Sequence, residues 1–218
     1  MVHILNQGNT ILNRFIAELR DVNIQNDSMR FRRNLERVGE IMAYEISKTL
    51  TYKQQNIETP LGTATENLST DNIVLATILR AGIPFHQGFL NYFDNAQNAF
   101  ISAFRKYTKE GVFNIKMEYI STCELTGKTL IIVDPMLATG SSLAMAYEAL
   151  AEKAGKPKHV HIASAIASEQ GVAYVENHFA NYSNVTIWCG AVDKGMTKTS
   201  YIVPGLGDAG DLAYGEKL

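Results

Sequence analysis

From residue 73 onward, short apolar runs alternate with stretches of helical periodicity. The apolar runs fall at residues 73–79, 99–104, 129–133, 160–167 and 185–190, and helical patterns fill residues 84–93, 141–154 and 168–180. This alternation predicts an α/β fold with a mostly parallel, five-stranded sheet flanked by helices on both faces. The first fifty residues predict two amphipathic helices, since Leu12, Phe15, Ile16 and Leu19 share one stripe and Leu35, Val38, Met42 and Ile46 another. Asn9 or Thr10 is expected to cap the first helix and Ser28 the second. Residues 52–70 are polar and carry Pro60 and Gly62, which predicts a loop or weak hairpin.

Two segments break the alternation. Phe113, Ile115, Met117 and Tyr119 alternate with Asn114, Lys116 and Glu118, the period of a half-covered antiparallel strand, and predict a β-arm near residues 106–121. Residues 193–218 carry Gly205, Gly207, Gly210 and Gly215 with little periodicity, which predicts an ordered loop region in place of a regular element. The expected layout is one domain over residues 1–218, with N-terminal helices in 1–52, an α/β core in 73–192 and a closing hood in 193–218.

Composition agrees with a single core: 218 residues, 46% apolar, are enough to build one. Charges nearly cancel at a net −2, so no chain-wide basic field attracts nucleic acid or an anionic membrane, and an anionic ligand needs a local site. No apolar run approaches the length of a membrane span, and the first fifteen residues lack the layout of a signal peptide. Cys123 and Cys189 stand far apart in sequence, so reduced thiols in a cytoplasmic setting are expected, with neither a zinc site nor a disulfide framework.

The segment TLIIVDPMLATGSSLAMAYEAL, residues 129–150, is the most informative. A buried strand ends at Asp134, a tight loop runs through Thr139 and Gly140, and a helix begins near Ser141, which places the loop at the carboxyl edge of the sheet where ligands bind. Free amides at the loop and helix start form an anion cradle, Gly140 permits close approach, and Thr139, Ser141 and Ser142 add hydroxyls. The same composition also serves an ordinary helix cap, and no Gly-Lys-Ser or Gly-Lys-Thr of a Walker loop follows the strand. His86, His159, His161 and His178 are expected to be structural, with His159 and His161 on opposite faces of their strand. Ser141 and Ser142 have no adjacent His and acid, which argues against nucleophilic hydrolysis.

Three collinear motifs carry a family resemblance. DPMLATGSS at residues 134–142, ILRAGIPFHQG at 78–88 and YIVPGLGDAGDLAYG at 201–215 resemble the uracil phosphoribosyltransferases, and the likeness runs from about Phe31 to Gly215. The resemblance implies a type I phosphoribosyltransferase-like fold and transfer of uracil to phosphoribosyl pyrophosphate (PRPP). It also implies Mg²⁺ carried through PRPP and a homodimer or higher homo-oligomer. It assigns PRPP to Arg80, Arg105, Asp134, Pro135, Met136, Leu137, Ala138, Thr139, Gly140, Ser141, Ser142 and Asp208, with Arg80, Arg105, Asp134 and Asp208 closest to the chemistry. It assigns uracil to the main chain of Val203, Gly207 and Ala209, beside Asp208, and it assigns no metal ligand. Local chemistry agrees where it speaks: Arg80 follows the strand at 73–79 directly, and Arg105 follows the strand at 99–104 in the same way. The loop after Arg105, through Gly111, is the candidate mobile cover.

The chain departs from the family pattern at Ser141, where Gly-Gly-Ser is usual, and at Pro84, residues 197–200 and the terminal GEKL. Two alternatives stay open on sequence: a PRPP- or nucleotide-binding regulator without turnover, and an enzyme acting on a purine. No motif identifies a site for GTP or another activating nucleotide.

Overall fold

The computed structural model describes residues 1–107 and 113–217, and the side chains outside 103–118. The chain begins with strand β1 (Val2–Ile4) and a single 3-10 turn, then the helices α1 (Ile11–Arg20) and α2 (Ser28–Ser47). A hairpin of β2 (Tyr52–Thr59) and β3 (Gly62–Ser69) precedes the core: β4 (Ile73–Leu79), α3 (Gly82–Leu90), β5 (Gln97–Tyr107), β6 (Phe113–Ser121), β7 (Thr129–Val133) and β8 (Met136–Leu137). There follow α4 (Ser141–Ala154), β9 (His159–Ser168), α5 (Glu169–His178) and β10 (Val185–Asp193). The chain closes with β11 (Gly195–Met196), β12 (Ile202–Val203) and α6 (Ala209–Tyr214).

The main sheet runs in the order β1-β10-β9-β7-β4-β5-β6, with β8 paired to β9. Every pairing is parallel except β5 with β6, where the period-two segment forms the expected antiparallel arm. The five expected parallel strands are its centre, and β1, β6 and β8 extend it to eight. Helices cover both faces. The predicted stripes on α1 and α2 are buried, except for the half-buried Phe15, and meet Phe85 and Phe89 of α3 on one face, while Leu143, Tyr147 and Leu150 of α4 and Val175 of α5 form the second core on the other.

Several expectations change in detail. Residues 52–70 are a fully paired hairpin, held by eight register pairs from Tyr52–Ser69 to Thr59–Gly62. Thr10 caps α1 through its hydroxyl, whereas α2 is capped by Asp27, which accepts from the Arg30 amide, and Ser28 is already helical. The closing segment is more regular than its glycines suggest, with the β11–β12 ladder and α6. His159 and His161 share one face of β9, since side chains two apart in a strand point the same way, and their rings lie 4.4 Å apart. They are structural: His161 Nδ1 accepts from Trp188 Nε1 at 3.1 Å, and burial drives its pKa down to about 3, so the ring stays neutral.

Candidate active site

The candidate residues gather at the carboxyl edge of the sheet because the strands that carry them are parallel neighbours. Thr77 of β4 pairs with Val133 of β7, and Val133 with Ala163 of β9, so Arg80, Asp134 and the loop to α4 leave the sheet side by side. Gly82 tightens this arrangement: a Cβ there would stand 3.6 Å from the Val133 carbonyl and collide with the Thr77 hydroxyl.

The loop itself is built for exposed amides. The Asp134 amide donates to Ala163 O, and its Oδ1 accepts from the Met136 amide at 3.1 Å, turning the chain sharply. Pro135 is buried and its carbonyl accepts from Ile166, while Leu137 sits in the core, so these two leave only main chain for a ligand. Gly140 adopts φ 81° and opens α4 with no side-chain cap, which leaves the first-turn amides of Ser141 and Ser142 without the usual partner. Thr139 Oγ1 and Ser141 Oγ lie 2.8 Å apart. Ser168, which sequence reasoning missed, braces the loop from behind: its hydroxyl donates to Ala138 O at 2.6 Å and accepts from the Gly171 amide at 2.8 Å.

Arg80 reaches from the end of β4 into the closing segment, across a cis Leu79–Arg80 peptide. Its Nη2 donates to Asp211 Oδ1 at 3.0 Å and to Gly215 O at 3.2 Å, and its buried Nε has no hydrogen-bond partner. A Cβ at Gly210 would lie 3.5 Å from the same guanidinium. Asp208 is the N-cap of α6, its Oδ1 accepting from the amides of Gly210 and Asp211 at 2.8 and 3.0 Å. The hood packs back on the loop region through Leu206, Ala209 and Leu212, which belong to the same apolar cluster as Ala81, Met136 and Ala138. Val203 and Gly207 are exposed beside it, and Ala209 is buried, offering main chain only.

Arg105 stands differently from expectation. β5 continues to Tyr107, so Arg105 lies within the strand, paired with Ile115, and its side chain lies outside the described residues. The expected cover falls largely at 108–111, also outside them. Neither cysteine is paired; Cys189 is buried, which pushes its thiol up to about 12. Among the described residues no group of three or more His, Cys, Asp or Glu side chains is placed to hold a metal, and no helix is long and apolar enough to cross a membrane.

Sequence reasoning also missed what holds the hood. Arg20 of α1 grips Asp193 and Gly205, and Arg32 of α2 donates to Ala213 O at 2.7 Å. These pairs join residues far apart in sequence, and no local pattern marks them.

Comparison with known proteins supplies the family. The family model described as uracil phosphoribosyltransferase matches residues 7–216. A uracil phosphoribosyltransferase of Porphyromonas gingivalis is 59% identical over 214 residues, covering 98% of each chain. Among solved structures, a protein of Aquifex aeolicus superposes with a TM-score of 0.86 at 29% identity, covering 99% of this chain and 98% of that one. An adenine phosphoribosyl transferase of Trypanosoma brucei, solved with AMP, pyrophosphate and ribose-5-phosphate, shares the fold alone, with a TM-score of 0.54 at 14% identity over 95% and 88% of the two chains. With the family model spanning almost the whole chain and a relative of that identity at full length, this chain belongs to the uracil phosphoribosyltransferase family.

Proposed function

We propose that the protein joins uracil to PRPP, in pyrimidine salvage. The bond from the uracil ring nitrogen to the anomeric carbon forms, the bond from that carbon to the pyrophosphate oxygen breaks, and the ring-nitrogen proton leaves to solvent. The observation that supports this reading best is the meeting of Arg80 with Gly210 and Asp211, which sets a guanidinium beside the glycine-rich turn that resembles the family's base-reading segment.

In this scheme the first-turn amides of α4, with Ala138 and Thr139, hold the 5′-phosphate, helped by the positive end of the helix. Asp134, with Oδ1 fixed by the Met136 amide, accepts from the ribose hydroxyls. Arg80 spends Nη2 on the hood and keeps Nη1 for the pyrophosphate, so it steadies charge as the leaving group departs. The main chain of Val203, Gly207 and Ala209 matches the donors and acceptors on the uracil edge. Arg105 and the cover through Gly111 complete the pyrophosphate end in this reading.

The donor set suits Mg²⁺ carried by the substrate. Asp208 uses Oδ1 to cap α6, which leaves Oδ2 to face a hydrated ion, and hard oxygen ligands are what Mg²⁺ prefers. When bound, the ion neutralises part of the pyrophosphate charge. Asp208 orients that end of PRPP directly or through water.

We also place the chain in a homo-oligomer. Every residue of β2 and all but Ala64 of β3 are exposed, including Ile57 and Leu68, as is Leu61 in the turn between them, and a lone hairpin is marginal in water, so contact with another copy would stabilise it. PRPP, a highly charged sugar phosphate, fits a cytoplasmic reaction. Incubation with Mg²⁺, PRPP and each base in turn tests the activity: uridine monophosphate from uracil supports it. PRPP binding without product points to a regulator, and a purine nucleotide points to another base.

A further inference from the structure

The part of the hood assigned to uracil has little structure of its own. Between the two-residue strand β12 and the six-residue α6, residues 204–208 make no regular ladder. Elements this short do not hold a conformation in water unaided. A site that reads a planar base through main-chain edges nevertheless needs those edges fixed to a fraction of an ångström.

The fixing groups lie behind the turn. Asp193 ends β10, and its side chain is 8% exposed. Its Oδ2 accepts from Arg20 Nη1 at 2.7 Å and its Oδ1 from Arg20 Nη2 at 2.9 Å, a two-pronged pair. Both partners then hold the same residue of the turn: Asp193 Oδ2 accepts from the Gly205 amide at 2.9 Å, and Arg20 Nη1 donates to the Gly205 carbonyl at 3.0 Å. Gly205 is therefore gripped at both main-chain groups, and it lies two residues from Val203 and two from Gly207. Gln25, with its amide oriented to satisfy its neighbours, donates to the next carbonyl, Leu206 O, at 2.8 Å. Rigid elements, α1 and β10, supply both halves of the pair.

We infer that Arg20 and Asp193 are positioning residues for the base: the pair touches no substrate and fixes the uracil-reading turn relative to the sugar-phosphate loop. The inference rests on the activity proposed above. Its consequence is asymmetric, because the phosphate loop is braced separately by Ser168 and the end of β9. Loosening the pair disturbs the base far more than PRPP.

The test uses the full chain with Asp193→Asn and Arg20→Lys. Asparagine removes the charge while keeping shape, and lysine keeps the charge without the fork that reaches Asp193 and Gly205 together. The expected result is a rise of about tenfold or more in KM for uracil, with the PRPP dissociation constant, titrated calorimetrically without uracil, within about twofold of wild type. Folded variants with wild-type KM for uracil and only a lowered Tm would overturn the inference. So would equal losses for both substrates, or failure of both variants to fold, which would assign the pair to the fold alone. Wild type in the same assay separates the two ideas: no uridine monophosphate from wild type rejects the proposed activity, whereas active wild type beside variants of unchanged KM rejects only the positioning role.

Discussion

Replacing Gly140 with alanine tests whether the turn before α4 is shaped for a ligand as well as for the fold. Two penalties follow from the structure. At φ 81° an L-residue carries about 1–2 kcal/mol of steric cost. The new Cβ would also stand 2.8 Å from Gly171 O and 2.9 Å from both Tyr174 Cδ1 and Val175 Cγ2, so α5 must give way. Overpacking of this kind adds ~1–3 kcal/mol. Together these predict a loss of about 2–5 kcal/mol, or roughly 4–20 °C in Tm for a chain this size. Gly127 supplies the control, since its φ is 76° but a Cβ there meets nothing within 4 Å. Gly127→Ala should lose only the backbone term, about 1–2 kcal/mol. Thermal denaturation of the two variants isolates the contact term, and calorimetric titration with PRPP reads the site. Displacing one amide from the phosphate should weaken PRPP binding about 10- to 150-fold in Gly140→Ala, at ~1.5–3 kcal/mol per bond to a charged group. Gly127→Ala should bind as wild type. A folded Gly140→Ala with unchanged PRPP affinity, or a Gly127→Ala that loses as much, would refute the phosphate assignment.

Other outcomes are expected on the same grounds. Arg80→Ala should fold and lose about 10²- to 10³-fold in kcat, and near-normal turnover would remove Arg80 from the scheme. Asp134→Ala should weaken PRPP more than uracil, because it removes both the acceptor for the sugar hydroxyls and the brace on the Met136 amide; equal affinities for PRPP in variant and wild type count against the ribose assignment. Far from the site, burial alone would raise the Asp71 carboxyl, but bonds from Lys158, the Thr51 amide and the Thr129 hydroxyl outweigh it and bring its pKa to about 2. A carboxyl with a depressed folded pKa stabilises above its unfolded value, 3.8, and loses that contribution as pH falls through about 2. Urea denaturation should show wild type ahead of Asp71→Asn at neutral pH and the gap closing across that acid window; a constant gap would sink the assignment.

The sheet was legible wherever burial writes itself into local periodicity. Residues 129–133 are five consecutive apolar or β-branched positions, all buried, and α4 begins and ends where the pattern places it. β1 was missed because three residues carry no period; Val2 and Ile4 become strand only by pairing with Ile187 and Cys189 at the other end of the chain. The histidines show a different failure: the strand was read correctly and the parity of its faces was not, although positions 159 and 161 fix it. In the hood, glycines argued for a loop, yet Asp208 at the N-cap was a helix signal available in the sequence, since Asp in that position satisfies the amides that follow. The Arg20–Asp193 pair lies beyond any such reading, because its partners are 173 residues apart.

That distance bears on how the fold divides its labour. The carboxyl edge of a parallel sheet supplies rigid strand ends, so Arg80, Asp134 and the loop to α4 inherit their positions from β4, β7 and β9. The hood, whose strands are two residues long, has its carbonyls claimed by donors elsewhere: Gly205 by Arg20, Ala213 by Arg32, Gly215 by Arg80. The last two lie at the carboxyl end of α6, where a cation suits the helix dipole, while Asp208 and Asp211 sit at its amino end. On the proposed reading, the N-terminal helices, which carry no residue assigned to a substrate, hold the hood that meets the base through Arg20 and Arg32. Swapping the hood alone between proteins of this fold should therefore fail to transfer base preference unless α1 and α2 are carried with it.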